Sequence, residues 1–187
     1  MEFGYERASL RVIARRAGVT TGAIYGYYPD KAALFDAIVT EPAEALYEKF
    51  LSAVNRFESL SLEDQYKKVE GVATNEMGML LDILYKNHDA FLLVLSRSSG
   101  TRWESYLDLL IKIEEDSSRD FLIRMKEAGQ NIPDISNHMI HMIASAYFNA
   151  FAEIILHDMP RDEATEYIGT LNDFFTAGWM KLLNKTS

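Results

Sequence analysis

The stretch SLRVIARRAGVTTGAIYGYYPDKAAL, residues 9–34, contains two short helical patterns that meet at a glycine. In the first pattern Leu10, Ile13 and Ala14 share one face, while the arginines fall largely on the other face. Gly18 follows this pattern and can adopt the positive φ that ends a helix without steric cost. These residues predict a short helix followed by a tight turn.

A second short helix is predicted directly after the turn. Thr20 is a preferred N-cap residue, and this helix must end near residue 28 because Pro29 disfavours helical geometry in the residue before it. Asp30 can cap a third helix, which we expect to continue past Pro42. Two helices joined by a short turn that contains glycine form the helix-turn-helix pattern, whose second helix enters the major groove of DNA.

The charge of the chain is unevenly distributed. The net charge is −9, but residues 7–31 carry five basic side chains against one acidic side chain. Residues 41–187 carry 14 basic and 24 acidic side chains. Phosphate is therefore attracted to the N-terminal segment and repelled by the remainder, which favours one orientation of the protein on DNA.

Helical periodicity continues to the C-terminus, and no period-2 strand pattern or internal repeat interrupts it. The sequence therefore predicts an all-α protein with about eight helices. We expect a helix-turn-helix DNA-binding domain over residues 1–40 and a helical effector-binding and dimerisation domain over residues 41–187. The helices predicted in the second domain cover residues 61–87, 88–97, 103–128, 133–157 and 161–184.

The composition excludes several kinds of site. The chain has no cysteine, which rules out disulfides, thiolate metal sites and cysteine nucleophiles. Its N-terminus lacks the basic and apolar regions of a signal peptide, and we therefore expect a cytoplasmic protein. Hydrophobic residues make up 48% of the 187 residues, which is enough to bury a substantial core.

Fixed residue types recur at fixed spacing from Ile13 to Leu34, in the order IAxxAGVTxGxIYxYYxxKxxL. This run closely resembles the N-terminal sequence of the TetR family of transcriptional regulators. The resemblance implies an N-terminal helix-turn-helix, a helical ligand-binding domain, and a homodimer formed through the last two helices. It also implies a repressor that a small-molecule effector releases from a palindromic operator in double-stranded DNA. On this interpretation the chain is not an enzyme and needs no cofactor.

The resemblance and the side-chain chemistry together indicate which residues contact DNA. Threonines at the start of the second helix lie where free N–H groups and the helix dipole favour a phosphate. Small residues after them allow close approach to base edges, and tyrosine hydroxyls can reach phosphate oxygens. The predicted recognition helix covers residues 20–28. The predicted DNA-binding residues are Ser9, Arg11, Thr20, Thr21, Gly22, Ala23, Tyr25, Tyr27 and Lys31.

The start of the chain departs from the family pattern. Family members carry a complete helix before the equivalent of Gly4 and Tyr5, whereas three residues precede Gly4 in this sequence. That helix normally completes the core of the DNA-binding domain. We therefore expect this first helix to be largely absent from the sequence, either because the sequence begins inside the protein or because the protein is shortened. If the protein is shortened, Leu10, Ile13 and Ile24 lack one packing partner.

Residues 135–152 contain no formally charged side chain. This length approaches that of a transmembrane helix, but the polar residues within it, including two histidines, would be costly in lipid. We therefore expect no membrane contact and a helix that forms half of a four-helix dimer interface with the last helix; the alternative is an ordinary monomer core. The predicted interface residues are Ile140, Ala144, Phe148, Phe151, Ile155, Leu171, Phe174, Phe175 and Gly178.

Apolar residues on the middle helices could line an effector pocket. The alternative is that they simply fill the core, because methionines and aromatic residues at helical spacing look the same in both cases. The predicted pocket residues are Met77, Leu80, Leu84, Phe91, Trp103, Tyr106, Leu110, Phe121 and Tyr147.

Two histidine pairs raise the question of a metal site. His138 and His141 are three residues apart, and Glu153 and His157 are four apart, so each pair could share a helix face. A metal site would need a third ligand, and exposed histidines on helices are far more common. We therefore predict no metal.

Two other functional classes compete with the repressor hypothesis. A helical-bundle enzyme of the di-iron type needs Glu-x-x-His pairs, which this sequence lacks, as it lacks a P-loop and a Gly-x-Ser-x-Gly elbow. The other alternative is a helical interaction or ligand-binding protein that has lost DNA binding. Measuring the DNA affinity of the purified protein would distinguish this alternative from a repressor.

Overall fold

The computed structural model describes residues 5–70 and 74–184, without the side chains of residues 68–70 and 74–77. These residues contain nine helices and no strand, which confirms the all-α prediction. The helices are α1 (Leu10–Arg16), α2 (Thr21–Tyr27), α3 (Lys31–Glu58), α4 (Leu62–Glu70), α5 (Thr74–Lys86), α6 (His88–Arg97), α7 (Tyr106–Glu127), α8 (Asn137–Leu156) and α9 (Arg161–Leu183).

The predicted caps of α2 and α3 and the turn after α1 are confirmed. The Thr20 side chain accepts a hydrogen bond from the Ala23 amide at 3.1 Å, and Gly18 adopts a φ of +70°. At the start of α3 the Asp30 side chain accepts from the Ala33 amide at 2.8 Å. Ser9 occupies the N-cap position of α1, but its side chain makes no capping bond.

The third helix crosses the predicted boundary between the two domains. It runs without interruption through Pro42, and its buried side chains on both sides of residue 40 belong to one core cluster. Phe35 and Val39, which lie inside the predicted first domain, therefore pack with the body of the protein. The division into residues 1–40 and 41–187 stays a prediction, and α3 is the element that the two parts share.

One predicted helix boundary was wrong. The helix expected over residues 61–87 corresponds to α4 and α5, and its continuity stays a prediction because residues 71–73 lie outside the described part. The helix expected to begin near Pro133 begins at Asn137, because Ser136 caps it by accepting from the Met139 amide at 3.2 Å. A proline is compatible with the first turn of a helix but does not require one, whereas a capping serine ends the extended segment.

The body has one large core and a smaller second one. The large cluster draws buried residues from α3 and α5 to α9 and includes Phe91, Ile154 and Ile155, each at most 1% exposed. The smaller cluster contains Phe121, Leu122, Met125, Ile140 and Leu183 and lies where α7, α8 and α9 meet. The long pair α7 and α8 therefore connects both clusters.

Helix α8 is the element with membrane-like composition among the described residues. It is 20 residues long with a mean hydropathy of 1.4, and 39% of it is buried inside the chain. Core helices of soluble proteins have the same length and composition, so this helix alone is weak evidence for a membrane span.

Candidate nucleic-acid interface

A small core of its own orients the helix-turn-helix. Leu10, Ala14 and Ile24 are buried together, and Ile13 and Tyr28 pack against them. Ile24 faces inward. The residues on the opposite side of α2 therefore face outward, because side chains three or four residues apart share one face of a helix. The turn at Gly18 thus presents one defined surface of α2 to the surroundings.

The outward surface of α2 carries the predicted contact residues. Tyr25 is 54% exposed and Tyr27 is 85% exposed, while Gly22 and Ala23 between them and the N-cap are also exposed. Thr20 is exposed and caps the helix, and Thr21 is half-buried. Large aromatic rings are rarely left in solvent without a function, and tyrosine hydroxyls are suited to phosphate oxygens.

Helix α1 adds basic side chains beside this surface. Arg11, Arg15 and Arg16 are exposed, and Arg7 just before the helix is exposed as well. Ser9 is exposed at the start of α1. Arginines next to an exposed helix with hydroxyl groups match the composition of DNA-binding surfaces, which use cationic groups for the phosphate backbone.

Lys31 differs from the other predicted contact residues because its ammonium group already has partners. It is half-buried and donates to the carbonyl oxygens of Tyr5 at 2.7 Å and Glu6 at 3.2 Å. It also lies 4.2 Å from the centre of the Tyr5 ring. An ammonium group has three donors, so one remains for a phosphate. The phosphate contact of Lys31 stays a prediction, and its visible role is to hold the segment before α1.

The sequence of this domain matches a known family. Residues 1–38 match the family model described as bacterial regulatory proteins, tetR family. The N-terminal segment of this chain is therefore similar to the DNA-binding domain of the tetR family. The match covers the helix-turn-helix that the structure describes from residue 5 onward.

The fold of the chain is similar to that of a solved structure. That structure, described as the fatty acid degradation regulator FadR from Bacillus halodurans, superposes with a TM-score of 0.51. The two are 18% identical in sequence, and the alignment covers 93% of this chain and 90% of the other. At this identity the likeness concerns the fold. No curated protein sequence matches this chain.

The predicted pocket residues are part of the packed core. Leu80, Leu84, Phe91, Trp103, Tyr106 and Leu110 are all buried in the large cluster, and Tyr147 packs against it. Phe121 belongs to the smaller cluster, so it lies apart from the others. The side chain of Met77 is outside the described residues. A shallow groove on α3 is lined by other residues, namely Glu48, Leu51, Ser52, Asn55, Arg56 and Ser59.

The predicted dimer interface needs correction on α8. Five of its residues are at most 9% exposed and face the core of the same chain, so they have no surface to offer a partner: Ile140, Ala144, Phe148, Phe151 and Ile155. On α9, Leu171 and Phe175 are half-buried, and Phe174 and Gly178 are exposed. The hydrophobic pattern marked α8 as apolar on several sides but did not indicate which side faces outward.

The exposed apolar side of α8 carries methionines that the prediction missed. Met142 is 63% exposed and Met139 is 43% exposed, and on the neighbouring α9 Phe174 is 72% exposed. Phe174 contacts Phe175 edge-to-face at 5.5 Å, and Phe175 contacts Tyr147 of α8 at 5.2 Å. We call the surface formed by Met139, Met142, Ala146, Phe174 and Gly178 the α8–α9 face.

One histidine from each predicted pair has a carboxylate partner. His141 Nδ1 lies 2.5 Å from Glu115 Oε1, and His157 Nε2 lies 2.6 Å from Glu153 Oε2. In the described part of the chain no group of three or more histidine, aspartate or glutamate side chains could hold a metal ion. These pairs therefore link α7 to α8 and one turn of α8 to the next.

A buried polar group lies between α7, α8 and α9. Burial raises the pKa of the Glu114 carboxyl, and the Ser118 hydroxyl donates to it at 3.4 Å, which partly offsets that effect. Tyr147 donates to the buried Asn172 side chain at 2.7 Å, and burial followed by the Glu114 charge raises the pKa of Tyr147. No spacing in the sequence indicated that these three helices share polar groups.

Proposed function

We propose that this chain is a transcriptional regulator of the TetR type: a cytoplasmic, dimeric repressor that binds a palindromic operator and leaves it when a small-molecule effector binds the helical domain. The observation that carries the proposal is the exposed face of α2, where Tyr25 and Tyr27 stand in solvent beside the arginines of α1.

The α8–α9 face supports a dimer. Three large apolar side chains, Met139, Met142 and Phe174, are exposed there, and small residues beside them allow helices to cross closely. A two-fold arrangement of α8 and α9 would bury these side chains in a four-helix contact. It would also present two copies of α2 to successive major grooves, which requires a separation of about 34–36 Å.

The effector is proposed to act in the helical body. The large cluster contains many of the apolar side chains that a pocket for an apolar molecule would need, although they are packed in the described state. The solved structure with the same fold is a fatty acid degradation regulator by its description. Fatty acids are therefore the first effector class to test.

DNA binding tests the proposal directly. Fluorescence anisotropy with labelled DNA from upstream of the gene should show tight binding that weakens steeply with salt, as phosphate contacts require. Tyr27→Phe should bind several-fold more weakly with unchanged stability, since the 85% exposed ring contributes little to packing. Tyr66→Phe, a tyrosine of the body on α4, is the matched control and should bind like the wild type.

Two results would contradict the proposal. Binding that is equal for upstream and unrelated DNA at every salt concentration would leave only a non-specific polyanion contact. Complete absence of binding would favour the alternative of a helical protein without a DNA partner. Addition of a fatty acid to the protein–DNA complex then tests whether the effector releases the DNA.

A further inference from the structure

Side chains at or just before the start of α7 form hydrogen bonds with α3 on both sides of Pro42. The loop between α6 and α7 covers residues 98–105, and three residues in or just after it bind α3. We call these contacts the α3 clamp, which consists of Arg102, Trp103 and Tyr106 on one side and Asp36, Thr40 and Ala43 on the other.

The first half of the clamp centres on one carboxylate oxygen. The Trp103 indole donates to Asp36 Oδ1 at 2.7 Å, and the Arg102 guanidinium donates to the same oxygen at 3.2 Å. Hydrogen bonds to a charged acceptor are roughly twice as strong as neutral ones. Arg102 is 58% exposed and its ion pair is therefore weak, whereas Trp103 is buried. The indole–carboxylate bond is the dominant contact.

The second half of the clamp follows one turn later, beyond the proline. The hydroxyl of the buried Tyr106 donates to the carbonyl of Ala43 at 2.8 Å. Pro42 has no N–H, so the carbonyl four residues before it lacks its usual donor in the helix. This is the point at which a long helix bends most easily. The clamp therefore holds α3 both before and after its weakest position.

The loop before α7 and the end of α6 also hold the start of the DNA-binding domain. The Tyr5 amide donates to the carbonyl of Arg97, the last residue of α6, at 3.0 Å. Gly100 lies against the side chain of Glu6, and the Tyr5 ring contacts Phe35 of α3 edge-to-face at 5.4 Å. One short segment of the body thus touches both the beginning of the helix-turn-helix domain and the helix that leaves it.

We infer that the α3 clamp is the contact by which the helical body sets the orientation of the helix-turn-helix, and that Asp36 is its positioning residue. This inference rests on the proposed function, because the orientation of α2 matters only if α2 reads DNA. Asp36 and Trp103 are placed to transmit a change in the body: a shift of α7 moves Trp103, and Trp103 holds α3 beside the domain that it carries.

Hydrogen exchange of the full chain tests the inference without DNA. Asp36→Ala removes the acceptor at a position whose side chain is 37% exposed, so it leaves no cavity. Amides in residues 5–27 and 98–105 should exchange about tenfold faster, which corresponds to about 1.4 kcal/mol. Amides of α8 and α9 should not change. Asp36→Asn keeps an oxygen that accepts the indole N–H and should restore most of the protection.

The chain contains a closely matched control. Asp82 on α5 also pairs with an exposed arginine, Arg161, at 2.7 Å, and that arginine also lies over an aromatic ring, that of Tyr85. In the described part of the chain the partner of Asp82 is this arginine and not an indole, and the pair joins α5 to α9 within the body. Asp82→Ala should therefore leave exchange in residues 5–27 as in the wild type.

DNA binding provides the second measurement. On whichever upstream fragment binds the wild type, Asp36→Ala should bind about tenfold more weakly, while Asp36→Asn and Asp82→Ala bind within about twofold. Unchanged exchange in residues 5–27, or an equal rise in all helices, would overturn the inference. If the wild type binds no DNA, the proposed function fails, but the exchange result still decides whether the clamp orients the domain.

Discussion

The predicted DNA-contact residues differ in their surroundings. Tyr25, Tyr27 and Arg11 have exposed side chains, whereas the Lys31 ammonium group donates to two backbone carbonyls. The family pattern treats Lys31 and Arg11 alike as DNA contacts. Their different surroundings mean that substitutions at the two positions should act through different physical effects.

Arg11→Gln tests one of the exposed residues. The change removes one exposed cation, so operator affinity should fall and the slope of log affinity against log salt should decrease by about one, with unchanged stability. Fluorescence anisotropy across a salt series measures both quantities. Lys86→Gln, an exposed cation on α5, is the control; an identical slope for Arg11→Gln and the wild type would remove Arg11 from the interface.

Glu114→Gln tests a carboxyl group whose pKa is raised by burial. Burial raises the pKa of Glu114 in the folded protein above its ordinary value of 4.5. The native state then binds more protons than the unfolded chain as pH rises above that value, so this carboxyl lowers stability with increasing pH. The amide should therefore unfold at higher urea concentration than the wild type at about pH 7.5, with a smaller difference at about pH 4.5. Glu127→Gln, at the exposed end of α7, should show neither effect.

At the scale of elements, the helix-turn-helix depends on two glycines with opposite requirements. Gly18 has a φ of +70° and ends α1, whereas Gly26 lies within α2 with no atom near the place of a Cβ. The first needs a conformation that other residues adopt only with strain. The second only weakens its helix, because glycine loses more backbone entropy than alanine.

Gly18→Ala and Gly26→Ala should therefore change stability in opposite directions. We expect Gly18→Ala to lose about 1 kcal/mol or more and Gly26→Ala to gain up to about 1 kcal/mol in the free energy of unfolding. Urea unfolding followed by circular dichroism measures both. Equal effects of the two variants would mean that the turn at residue 18 does not depend on a left-handed residue.

At the scale of the whole molecule, an acidic body carries a basic DNA-binding domain, and the α8–α9 face lies on the body. Met142 and Phe174 are among the most exposed large apolar side chains in the described residues. Repulsion between acidic surfaces opposes association, so a dimer must gain its stability from burying such side chains.

Phe174→Glu should convert the proposed dimer to a monomer. A carboxylate in the middle of an apolar contact would lose its hydration without a partner, so association should weaken by at least about tenfold. Sedimentation equilibrium measures the change, and operator binding should weaken with it. Ile123→Glu alters a similarly apolar side chain on α7, 46% exposed, and should remain dimeric. A monomeric wild type would contradict the proposed dimer.

The amino-acid sequence alone was sufficient for the helix-turn-helix, its caps and its turn, because these features depend on residues three or four apart: Thr20 with Ala23, Asp30 with Ala33. It also indicated the all-α class and the family. Tertiary structure decided three other features: which side of α8 faces outward, the core position of the predicted pocket residues, and the α3 clamp. The bond between Asp36 and Trp103 joins residues 67 positions apart. No local pattern records such a contact, since it depends on how helices cross and which of several apolar faces each one buries.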